Sequence, residues 1–269
     1  METNHFLSIV ICFGYIIAPL LSNHFFLKNS KSYQWIHILS FTSVLISISG
    51  FQRMFSIVWF FFCGYGLYLY LHLHKTDLFQ NKHWLGTIPF FFSLVSATWI
   101  VSGTNDFRLL GYDETWSYYA AIHGCFIGWY LLSGLCYLAI KHNHMNLLIV
   151  FIGMIVSLFF FIAIGIYQFG LFKKIGVIGY VVLFPTLVLY LYRVMDPKHN
   201  LSKIFLGISG FAVLISLGLA FGNEFFPSAP IYHIHQSNMV FVHGGINAFL
   251  VIPLLLGAIL NEERNRIDS

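Results

Sequence analysis

The chain has 269 residues, of which 58% are hydrophobic and only 9% are charged, with a formal net charge of +4. Soluble domains carry about a quarter of their residues as charges, so this composition excludes one and points to a polytopic membrane protein. The weak, scattered positive charge leaves no footprint for nucleic acid, and four cysteines set singly in apolar runs argue against a disulfide framework.

Apolar runs of about 17 to 25 residues can cross a hydrocarbon core of about 30 Å. In lipid such runs must be helices, because each backbone polar group needs an internal partner. The predicted architecture is therefore an all-α transmembrane bundle forming one domain over 1–269, with nine spans. The first, near 6–22, follows a start without a basic stretch or cleavage site and reads as a retained span. The second and third, near 33–50 and 54–73, are joined by the tight hairpin SGFQRMF, which leaves eight spans as the alternative count. The rest fall near 85–103, 117–140, 147–169, 175–193, 204–222 and 238–260. No internal repeat stands out.

Lys and Arg accumulate on the cytoplasmic side of membrane proteins. Alternate loops collect ten basic residues against four (Arg53, Arg108, Lys173 and Lys174). This predicts the N-terminus outside and the C-terminus inside.

Two polar segments are then extracytoplasmic. The loop before the fifth span carries Asp113 and Glu114, which suit either the positive end of a helix or the role of a general acid over a cavity. The loop before the ninth carries His233 and His235, whose imidazoles share one face and can hold a metal if the segment is extended. Just inside the slab, His123 and His243 sit at similar depth on the fifth and ninth spans, and ionisable residues there are functional candidates by default. Met239 and Asn247 lie one turn before and after His243, so the Asn247 carboxamide can set the tautomer of the ring. Gly124, Gly128, Gly244 and Gly245 remove bulk beside the two histidines, which lets a helix or ligand approach. His72, His74, His142 and His144 read as interfacial residues near Lys75 and Lys141.

The segments LLGYDETWSYYAAIHGCFIGW and NMVFVHGGINAFL resemble two signature regions of the YndJ-like family of bacterial integral membrane proteins, over roughly residues 85–260. One family helix carries T-A-x-H-F-H-x-x-G-F, matched by Ala121, His123, Gly128 and Trp129. A later one carries M-x-x-x-H-G-x-x-N-A-x-G-F, matched by Met239, His243, Gly244, Asn247 and Ala248. Cys125 stands where the family has its second histidine and Leu250 where it has glycine. The resemblance implies a multi-pass protein of the bacterial inner membrane and brings no reaction with it.

Three readings follow. In the first, His123 and His243 ligate haem or a transition metal, with Asn247 supporting and His233 and His235 as added metal ligands. In the second, a cofactor-free enzyme acts on a lipophilic, terpenoid-like small molecule with Asp113 or Glu114 as acid. In the third, the histidines serve a proton-coupled transporter or sensor. The lipid bilayer is the partner common to all three, and oligomeric state is not legible.

Overall fold

A computed structural model describes residues 3–80, 82–142, 145–167, 170–195, 200–226 and 240–267. His233, His235 and Met239 lie outside the described residues. The described residues are overwhelmingly helical, and the chain divides into two compact units, Met1–Asn146 and Leu147–Ser269.

The first unit contains α1 (Thr3–Phe26), α2 (Lys31–Ile48), α3 (Ser56–Leu73) and α4 (Thr87–Asn105). Its last helix begins as α5 (Glu114–His123), loosens into a π-helical stretch over Gly124–Leu131 and ends as α6 (Leu132–Lys141). The second unit contains α7 (Leu147–Tyr167), α8 (Gly170–Val194) and α9 (Asn200–Phe225). Its last helix also has π-helical stretches, Val240–Gly244 and Asn247–Val251, before α10 (Ile252–Ile267).

Eight helical stretches are long and apolar enough to cross a bilayer, which makes this a multi-pass membrane protein. α2 is the one long helix that falls short, and its packing explains why. Tyr33, His37, Ser40, Val44 and Ser47 form its buried stripe, whereas Trp35, Ile38 and Leu39 are exposed. The polar residues face protein and the apolar ones face outward, so averaging hydropathy along the helix hides a surface suited to lipid.

The two units share an order of helices and several residues at one sequence offset. The offset that carries His123 onto His243 also carries Gly124 onto Gly244, Ser96 onto Ser216, and Leu69, Tyr70 and Leu71 onto Leu189, Tyr190 and Leu191. Under it α2, α3, α4 and the α5–α6 rod overlap α7, α8, α9 and the last helix; the C-terminal ends of the first three agree to within about one residue, and the last helix runs six residues longer than the rod. In each unit successive helices of the four pack on one another. Each unit thus contains four successive helices in the same order, and the first carries α1 in addition.

Close helix approach depends on glycine in both units. A Cβ at Gly124 would meet the Ser96 backbone at 3.2 Å, and one at Gly128 would run into the Phe92 ring, so the GxxxG step of the fifth span is its seat on α4. In the second unit Gly165 faces the backbone of Lys173, while Gly176 and Gly179 face Ile162 and Leu158 across the α7–α8 hairpin. Lys173 Nζ pairs with Glu224 Oε2 at 2.6 Å and so ties the start of α8 to the end of α9.

Candidate functional site

In the second unit α9 presents Ser216, fully buried, to the last helix. His243 Nδ1 lies 3.0 Å from the Ser216 carbonyl oxygen and 2.9 Å from its hydroxyl. A carbonyl can only accept, so Nδ1 carries the proton and Nε2 carries the ring lone pair. The Asn247 amide nitrogen is 3.4 Å from Nδ1 and 3.2 Å from Nε2. A donor in line with one lone pair would stand much farther from the other nitrogen, so this near-equidistance puts the amide against the ring face. Asn247 thus steadies the plane of the ring, while Ser216 sets its tautomer. The helical spacing of the two residues makes the contact legible in sequence; the tertiary partner Ser216 is not.

In the first unit His123 ends α5, and its Nδ1 lies 2.7 Å from the Tyr119 carbonyl oxygen one turn back. That bond imposes the same tautomer. His123 is exposed, whereas His243 is half-buried. Each ring stands at a change between α-helical and π-helical winding, and such breaks recur at functional sites because they re-aim side chains.

The two units differ in what holds the α4 or α9 serine. Ser216 serves His243, but Ser96 donates to the Ala121 carbonyl at 2.7 Å and contacts the Tyr15 hydroxyl of α1 at 2.9 Å. The α4 serine is thus met by a tyrosine of α1, and the α9 serine by the His243 imidazole. Tyr15 belongs to a dense aromatic core, stacked on Trp59 at 4.5 Å, with His37 Nε2 donating to the Tyr15 carbonyl at 2.9 Å.

Asp113 caps α5. Its carboxylate accepts from the Trp116 N–H at 2.8 Å, and Glu114 follows in the exposed first turn. Cys125 is buried, with its Sγ against Gly14 of α1, in keeping with a packing role.

One group escapes the sequence reading. His74, Asp77 and His83 converge between α3 and α4, with His74 Nδ1 3.2 Å from Asp77 Oδ1 and His83 Nε2 3.5 Å from Asp77 Oδ2. The available signal was HKTDLFQNKH, three ligand-type residues in a loop too short to separate them.

No family model, curated protein or solved structure matches the chain.

Proposed function

We propose that this multi-pass membrane protein binds haem or a transition-metal ion through the Nε2 atom of half-buried His243 in its second unit, with His123 the corresponding candidate ligand in the first. One observation carries the reading: the same His-Gly step stands at the same sequence offset in the last helix of both units, each time with Nδ1 pinned to a backbone carbonyl. That pinning is the usual orientation of a ligating imidazole, because it places the lone pair on Nε2 and fixes the ring. Ser216 and Asn247 are the supporting residues at His243. When bound, haem or a metal ion would supply redox or Lewis-acid chemistry. The protein's part is to hold each imidazole with Nδ1 on a backbone carbonyl and Nε2 turned away from it.

The resemblance to the YndJ-like family belongs to this proposal and rests on the same residues, with His243, Gly244, Asn247 and Ala248 as its densest run. Protein purified in detergent is expected to show a Soret band or near-stoichiometric transition metal that falls in His243→Ala and His123→Ala and persists in Asp113→Asn. Full cofactor content in His243→Ala would overturn the assignment.

A further inference from the structure

The loop between α3 and α4 is built more tightly than a connection requires. His74 follows the last residue of α3, and three successive turns bring the chain back. The Asp77 N–H donates to the His74 carbonyl at 3.1 Å, Gln80 to Asp77 at 2.8 Å and His83 to Gln80 at 3.1 Å. Lys82 adopts the left-handed conformation (φ 64°), which a side chain enters at a cost, and this turns His83 onto His74. Its amine is drawn off to Asn146 Oδ1 at 2.6 Å and the Ala139 carbonyl. Tyr70, buried, braces both histidines. Its hydroxyl donates to the His83 carbonyl at 2.5 Å, its ring packs on His74 at 4.7 Å, and Gly86 is the residue beneath the hydroxyl that leaves it room.

The result is two imidazole rings stacked 4.3 Å apart, with one carboxylate reaching both. Ligand atoms at about 2.0–2.2 Å from a tetrahedral ion stand roughly 3.3–3.6 Å from one another. His74 Nδ1 stands 3.2 Å from Asp77 Oδ1 and His83 Nε2 3.5 Å from Asp77 Oδ2, each close to that spacing, with the two imidazoles served by the two oxygens of one carboxylate. The third, no more than 4.8 Å, closes as either ring turns toward the ion. Side-chain exposures of 15%, 38% and 21% leave the group reachable from outside the protein.

We propose that His74 Nδ1, the Asp77 carboxylate and His83 Nε2 form a three-ligand site for a divalent transition-metal ion of the zinc class, with its fourth coordination position open. Two imidazoles and a carboxylate are a donor set that such ions take, and an open position is what separates a reactive or exchanging site from a purely structural one. The site belongs to the first unit alone, since the positions of the second at the same offset hold Val194, Pro197 and Lys203. It shares no residue with the His243 site and stands independently of the function proposed above.

The test uses full-length protein in detergent, stripped with chelator and titrated with Co²⁺, followed by competition with Zn²⁺. Wild-type protein is expected to develop the strong visible bands of four-coordinate Co²⁺. His83→Ala should weaken Co²⁺ and Zn²⁺ binding about tenfold or more. Asp77→Asn, which keeps a hydrogen-bonding group beside His74, should also weaken both and decides the matter if His83→Ala does not fold. His72→Ala, which removes a histidine of α3 that belongs to neither site, should leave this binding unchanged. Titrations of Asp77→Asn and His83→Ala that overlay wild type would overturn the proposal.

Discussion

At the level of single side chains, hydrogen-bond direction decides which roles remain open. The Asp113 carboxylate accepts from the Trp116 N–H, and losing a helix cap costs about 0.5–2 kcal/mol. Asp113→Ala is therefore expected to lower thermal stability, with Asp113→Asn and Asp113→Ser close to wild type because both can cap. A large loss of function in a stable Asp113→Asn protein would restore the acid role that the sequence also allows. For His243 the backbone carbonyl of Ser216 survives any side-chain change. Ser216→Ala should retain most cofactor and lose about 0.6–2 kcal/mol of stability, the scale of one interhelical hydrogen bond in a membrane, whereas His243→Ala should lose the cofactor. Equal loss in both would mean that the hydroxyl and not the carbonyl positions the ring. The His243–Asn247 pairing is readable from sequence because helical periodicity dictates it, even through a π-helical stretch. Ser216, Tyr15 and the convergence of His74 with His83 are not readable, since each depends on how elements fold back on one another.

Among whole helices, glycine spacing and buried polarity carry the argument. Gly128 lies against Phe92, so Gly128→Ala must displace a packed aromatic ring, and overpacking of this kind costs about 1–3 kcal/mol. A lower melting temperature in detergent is expected, and wild-type stability would show that the contact is loose. α2 tests the span count. It holds in the first unit the place that α7, the most apolar candidate span, holds in the second. Single cysteines at Asn29 and Phe51, in a background lacking the four native thiols, should label from opposite sides of the membrane. Labelling from one side would put α2 along the surface. The helices themselves are visible in the sequence because apolar runs of this length have no other solution in lipid. The shared order of helices is obscured for the same reason: two sets of such runs look alike by composition, and only sparse pairs such as His123–His243 and Ser96–Ser216 share one offset.

Over the molecule as a whole, the exposed surface is rich in Trp, Phe, Leu and Ile, as lipid contact requires. Within it the chemistry-bearing groups fall into two independent sets, one at the imidazoles of the last helix of each unit and one in the loop after α3. The four successive helices common to the units, an even number, lead each set back to the side from which it began once all four cross. The central claim is that His243, with its proton fixed on Nδ1, offers Nε2 to a cofactor. Its most direct measurement is the absorption spectrum and metal content of one purified sample, beside His243→Ala prepared identically. The account expects a Soret band or bound transition metal in the wild type that is lost in the variant. A colourless wild type whose metal content equals that of the variant would contradict it.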